Sequence, residues 1–376
     1  MIVNSVLGNL VRLGDYIEIY DVKNVNSDDL PFCGINKDKT FMPTVADTNE
    51  LDSSKYKIVK KDVFVFSGMQ TGRDVCIRLA LYTNSDSILV SPAYTTFVVK
   101  DKSEILPAYL FIQFNRFQMD RYGWFLSDGS IRSNLDWGVF CDIMIPLPDI
   151  DIQQELVDTY NGLKALAEQN EALIKPLTEA CQAYIVDCKK KYPVVELGEY
   201  IEEIDERNTT NEISLTQGID VNMQFIPAKR EAADSEGTKI VRTGQFAFNR
   251  VVKANGTKLP IALRTGPDCI ISSSYAVFEI INQELDSKFL RLWFSRSEVH
   301  RYCGFISQGT TRDVFSYDDL CNMKIPIPPP EVQQAIVNIY NCAEVAKNIA
   351  NEAREKMKTL CPALVQRAIN NTHKLQ

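Results

Sequence analysis

Few residues in this chain are placed to make or break bonds. Only two of its 376 residues are histidine, His300 and His373, and neither stands near a Ser or Cys nucleophile motif, so no hydrolytic triad is expected. The ten cysteines (Cys33, Cys76, Cys141, Cys181, Cys188, Cys269, Cys303, Cys321, Cys342 and Cys361) include no C-x-x-C pair, and zinc-type spacing is absent. They read as scattered reduced thiols of a cytoplasmic protein. Pro267-Asp268 followed by Glu279 has the outline of a metal-nuclease carboxylate set. The run continues into Ile280 and Ile281 with no lysine, so Pro267-Asp268 reads as a turn. Phosphate-loop, dinucleotide-loop and nucleophile-elbow motifs are missing, as is the Asn-Pro-Pro-Tyr or Asp-Pro-Pro-Tyr segment of an amino-methyltransferase. The expectation is a chain that binds and does not catalyse, with no metal or cofactor of its own.

What it binds is constrained by charge. The net charge of −8 argues against a simple non-specific nucleic-acid binder, though not against one whose basic groups are clustered. A hydrophobic fraction of 45% and a charged fraction of 24% are ordinary for a soluble globular protein, and the length allows two or three domains. No apolar run is long enough to cross a bilayer, and the start of the chain does not resemble a signal peptide.

The elements that must position any binding residues are written twice. Residues 145–161 match 325–341 at an offset of 180, with Pro146, Pro148, Gln153, Gln154, Val157, Tyr160 and Asn161 recurring as Pro326, Pro328, Gln333, Gln334, Val337, Tyr340 and Asn341. The same offset carries Arg121-Tyr122 to Arg301-Tyr302, and Gly129 and Arg132 to Gly309 and Arg312. Upstream the offset drifts, as loop insertions would cause. Tyr94 and Phe97 match Tyr275 and Phe278, and Leu13-Gly14 matches Leu197-Gly198. Two copies are too few for a solenoid, so a pseudo-symmetric pair of lobes is expected.

Each copy reads in the same order. Short strands are predicted over 63–66, 88–90 and 96–99, and over 245–248, 270–272 and 276–280. Helical segments follow over about 105–121 and 286–301, then Gly/Ser/Thr loops at 127–134 and 307–313. The Ile-Pro-x-Pro runs stop what precedes them. A long helix closes each copy. Its apolar seam is predicted through Ile152, Leu156, Tyr160, Leu163, Ala167, Leu173 or Ile174, Leu177 and Tyr184 in the first copy. In the second it runs through Ile336, Ile339, Ala343, Ala346, Ala350, Ala353, Met357, Leu360 and Leu364. A seam of that length needs a partner, and the other copy's helix is the nearest. Pro176 and Pro362 should kink or break these helices. Two similar lobes on a helical spacer suit a target with two separated parts, and DNA fits that logic.

Residues 308–337, 244–257 and 270–280 resemble the target-recognition domain of the specificity subunit of type I restriction–modification enzymes. Looser equivalents lie at 127–157 and 87–99, and the first copy departs most at 64–81. The resemblance implies an α+β chain. Target-recognition domains would occupy 1–148 and 191–328, and spacer helices 149–190 and 329–376. The two helices would form an antiparallel coiled coil. It also implies a noncatalytic subunit reading a bipartite double-stranded DNA site. Modification subunits that bind S-adenosylmethionine, and restriction subunits, would be its partners. The alternative is a helical protein–protein scaffold without DNA binding.

Base edges and phosphates are met by Arg, Lys, Asn, Gln, Ser and Thr. Within the resemblance, the expected contacts in the first domain are Gln70, Thr71, Arg73, Arg78, Ser91, Tyr94, Ser130 and Arg132. In the second they are Asn249, Arg250, Lys253, Asn255, Lys258, Ser273, Tyr275, Gln308, Thr310, Thr311 and Arg312. Arg132 and Arg312 are the best placed, each three residues past a loop glycine, with phosphate the expected partner.

Overall fold

A computed structural model describes residues 10–44, 47, 51–228, 237–252, 258–307 and 313–372. Two compact units emerge, one of residues 1–170 with 349–376, the other of residues 171–348.

The first unit is built on a sheet buried on both faces. Its spatial order is Ile17–Ile19, Thr95–Val99, Phe64–Ser67, Arg78–Leu81, all antiparallel. Alternation sends Phe64, Phe66, Leu79 and Phe97 into one core and Val65 and Ala80 into another. That double burial is why the strand at 64–67 reads as a continuous apolar run. The first core closes against the helices Pro107–Phe114 and Trp137–Cys141, with Phe64 stacked on Phe97 at 4.8 Å and Phe66 on Phe140 at 4.3 Å. The second closes against a sheet of Phe41–Pro43, Phe32–Ile35, Ile88–Val90 and Lys57–Val59.

The second unit repeats the plan. Its buried sheet runs Ile201–Ile204, Tyr275–Ile280, Phe246–Asn249, Ile261–Leu263, and Phe246 stacks on Phe278 at 5.1 Å. In each unit the predicted single helix is two. Pro107–Phe114 stops at Asn115 before Phe117–Leu126, and Ser287–Phe294 stops at Ser295 before Ser297–Ile306.

The Ile-Pro-x-Pro motif proves to be a joint. Met144–Pro146 pairs antiparallel with Leu10–Arg12, and Lys324–Pro326 with Val194–Glu196, so each module's last strand closes on its first. Beneath it sits a fully buried glutamine. Gln153 Oε1 accepts from Leu106 N at 2.9 Å, and its Nε2 donates to Glu104 O and Pro148 O, both at 2.8 Å. Gln333 does the same with Asp286 N at 2.8 Å, Glu284 O at 2.6 Å and Pro328 O at 2.8 Å. The recurring Leu-Gly is a close approach. A Cβ on Gly14 would meet Cys141 Cβ at 2.9 Å, and one on Gly198 would meet Cys321 Cβ at 2.8 Å.

The long helices span Ile150–Lys191 and Pro330–Thr372. In the second unit the Cys181 thiol faces the Ile336 carbonyl at 3.8 Å. In the first, Tyr160 and Met357 line one cavity. Early residues of one helix thus meet late residues of the other, an antiparallel pairing. Ala343, Ala346, Ala350 and Ala353 are buried as predicted. The first helix corrects the predicted seam. Leu173 and Tyr184 are exposed, and the buried stripe ends on Cys181, Ile185 and Cys188. Pro176 does not end the helix. The carbonyl it leaves without a donor belongs to Ala172, and both residues lie on the exposed side, where water can supply the missing bond.

Candidate nucleic-acid interface

In the first unit the backbone ties the two loops that hold most of the expected contacts. Gln70 N donates to Arg132 O at 3.0 Å, Gly72 N to Ser133 O at 3.0 Å, and Leu135 N to Gly68 O at 2.9 Å. Gln70 caps the short helix Thr71–Asp74 with a left-handed backbone, φ 64°. Its Oε1 accepts from Arg73 at 2.9 Å and from Arg78 at 3.3 Å, so one amide orients two guanidinium groups. Arg132 is exposed on the paired loop, and its side chain makes no hydrogen bond or ion pair. Ser130 also faces solvent, its hydroxyl spent on Asp128 at 2.6 Å. Hydrogen bonds from Ser130 and from Asn134 N hold Asp128 below its ordinary pKa.

Asp74 organises the cations of this rim. Its side chain is 5% exposed and is shared by Lys37 at 3.2 Å, Arg73 at 3.5 Å and Arg78. Burial alone would raise its pKa, but hydrogen bonds from Lys37 and Arg78 outweigh burial and hold it below the ordinary value. Beside it the buried Lys39 pairs with Asp120 at 2.7 Å, and Asp120 also accepts from Ile77 N. Lys37, Lys39, Arg73, Arg78 and Arg132 outnumber the carboxylates of the same segments, Asp38, Asp74, Asp120 and Asp128, by one, a small local positive surplus in a chain of net negative charge. Lys37 and Lys39 were not among the expected contacts. The signal that could have flagged them is the charged Asn-Lys-Asp-Lys turn at 36–39.

Of three further expected contacts in this unit, Thr71 is closed to DNA by burial, and Ser91 and Tyr94 are half-buried with local partners. Thr71 is fully buried and donates its hydroxyl to Gly68 O at 3.0 Å. Ser91 closes a turn, accepting from Ala93 N at 3.3 Å. Tyr94 packs on the second core, its hydroxyl 3.5 Å from where a Cβ on Gly34 would lie.

The second unit joins its loops in the same way. Val251–Val252 pairs with Asp313–Val314, and Phe315 N donates to Arg250 O at 2.8 Å. These short strands lead into 253–257 and out of 308–312, so the expected contacts Lys253, Asn255, Gln308, Thr310, Thr311 and Arg312 lie outside the described residues. Asn249 is half-buried and accepts from Val251 N at 3.0 Å, while Arg250 pairs with Glu203 at 2.8 Å. Lys258 and Ser273 are exposed. Tyr275 repeats Tyr94, with its hydroxyl 3.7 Å from a Cβ on Gly218. Behind Lys258, His300 accepts from Leu259 N at 3.2 Å, and burial and Lys258 hold its pKa down.

No catalytic set competes with this arrangement among the described residues. Asp268 is engaged by Thr243 N and Arg242, both at 2.9 Å, as a turn carboxylate would be. No group of His, Cys, Asp and Glu there could hold a metal ion. The described cysteines are free thiols, and burial pushes Cys303 up to about 12 and Cys181 to about 11, so these are packing groups. No described helix is long and apolar enough to cross a membrane.

Residues 191–352 match the family model described as Type I restriction modification DNA specificity domain. The second module is therefore a DNA specificity domain of the type I class, and the first shares its strand order. That match spans the second module and part of its long helix, less than half of the chain. Its fold is similar to that of the type I restriction–modification S subunit from M. genitalium, with 11% identity, 98% of this chain and 97% of that chain covered, and a TM-score of 0.59. The HsdS subunit from Thermoanaerobacter tengcongensis also matches, with 18% identity, 96% coverage of each chain and a TM-score of 0.44. No curated protein matches the chain.

Proposed function

We propose that each module reads one half of a bipartite double-stranded DNA site and that the paired long helices fix the unspecified spacer between the halves. The readers are residues 1–148 and 191–328, and the spacers 149–190 and 329–376. The observation that carries this reading is the loop pair. In both units the segment after a buried central strand is tied by backbone hydrogen bonds to the Gly/Ser/Thr loop. In the first unit that tie holds the rim in place before DNA arrives, which lowers the ordering cost of binding. Arg73 and Arg78 are pre-aimed by Gln70, and Arg132 is free to take a phosphate. Basic groups collected at the rim would let an acidic chain hold a polyanion. On this reading modification subunits, carrying S-adenosylmethionine, and restriction subunits assemble on the chain and supply the chemistry it lacks.

Arg132→Ala tests the rim. Mobility-shift titrations across a salt series, on a site identified by methylome sequencing, should show roughly tenfold weaker binding and a salt slope reduced by about 1. Assembly with modification subunits should be unchanged. An unaltered slope removes Arg132 from the interface, and absence of any DNA dependence returns the scaffold reading.

A further inference from the structure

The two units treat one recurring arginine differently, buried in the second and half-buried in the first. Arg296 is 5% exposed and lies over the Trp293 ring at 4.5 Å, and its charge is met by Glu298, which also binds Lys189. The residue at the same place in the first unit is Arg116. There the position of Trp293 is taken by Gln113 and that of Glu298 by Gln118, so both neighbours are neutral. Arg116 donates to Gln113 Oε1 at 3.0 Å, has no ion pair, and keeps a buried Nε with no partner. Arg296 also retains one unpartnered buried nitrogen, so the units differ in charge and not in the number of unmet donors.

That uncompensated charge borders a space. A cavity of about 200 Å³ is lined by Arg116, Asn115, Arg354 and Lys358 among others, and no carboxylate lines it. Lys358 is held by Glu355 at 2.7 Å, outside the lining, so the charge awaiting a partner is that of Arg116. Burial pulls the Arg116 guanidinium below its ordinary pKa with only Tyr109 acting against that pull. An arginine stays protonated even so. A half-buried cation without a counter-ion is unfavourable, and a planar fork of N–H donors matches an oxyanion best.

We propose that this cavity binds a small oxyanion of the phosphate or sulfate class, seated on Arg116, which replaces the carboxylate that the second unit carries as Glu298. The site is separate from the DNA-facing rim and stands whether or not the rim reads DNA.

The test is thermal unfolding and calorimetric titration of the full chain in chloride buffer, with inorganic phosphate added at constant ionic strength. The wild type should show a saturable rise in Tm and a saturable binding heat with one phosphate per chain. Gln118→Glu, which copies Glu298, should raise Tm without phosphate and abolish the saturable response. Arg116→Gln should abolish it too. The proposal is overturned by a wild type with no saturable response, or by the same response in Gln118→Glu as in wild type. A rise that never saturates and is equal in all three proteins is the general effect of an excluded salt, and it also overturns the site.

Discussion

The joint beneath each module and the rim above it follow opposite rules. At the joint, Gln153 and Gln333 make the same three hydrogen bonds to residues 180 positions apart. At the rim the layout is shared, and so are Gly129 and Arg132 with Gly309 and Arg312 in sequence, but most other residues are not. The first unit gathers Lys37, Arg73 and Arg78 around Asp74, where the second has Asn249 folded back on Val251 and Arg250 held by Glu203. What recurs in this chain is what holds a module closed. What diverges is where a module would read.

The largest effect should come from the joint. Gln153→Ala or Gln333→Ala strands one N–H and two carbonyls in a buried place, a loss of about 3 kcal/mol or more. Urea titrations should give similar losses for the two variants, and a large loss in one beside none in the other would break the equivalence of the joints. Asp74→Asn should come next, at about 1–3 kcal/mol, because it leaves Lys37 and Arg78 without their shared carboxylate. Since folding lowers the pKa of Asp74, its contribution is fully present above the unfolded carboxylate value, about 3.9, and is lost as pH falls through the lower folded value. The wild type should therefore lose stability faster than Asp74→Asn below about pH 4. Equal acid sensitivity of the two proteins would show that Asp74 does not organise the rim. The smallest effect belongs to the neighbouring glutamines. Gln154 and Gln334 reach only Asp158 and Asn338 on the exposed helix face, so alanine at either should stay within about 0.5 kcal/mol of wild type. A loss comparable to that at Gln153 would mean that the joint extends further than its buried bonds.

The sequence carried the duplication, the short strands and the alanine seam, because each is a periodic or recurring pattern. It did not give the role of the Gln-Gln run. Recurrence marked that run as important, but only the fold shows one glutamine turned inward and its neighbour outward. Tyr184 falls in the predicted helix seam because three- and four-residue steps allow two adjacent stripes. The stripe actually buried uses Cys181, Ile185 and Cys188, and thiols are easily counted as chemistry and not as packing. Thr71 has a hydroxyl able to meet DNA, yet burial and its hydrogen bond to Gly68 O claim it first, while Tyr94 and Tyr275 are half-buried beside Gly34 and Gly218. Lys39 was missed because a lysine seldom reads as buried, and nothing local announces its pairing with Asp120, 81 positions along the chain.

Each long helix belongs half to one unit and half to the other, and this has a consequence in time. Residues 171–348 form their unit from one unbroken stretch, whereas the other unit needs 349–376 to complete it. On a ribosome adding ~5–20 residues per second, the usual order of maturation is inverted. The unit that emerges first is finished only after the other, and until the residues past 348 emerge the exposed apolar flank of its half-helix has no mate.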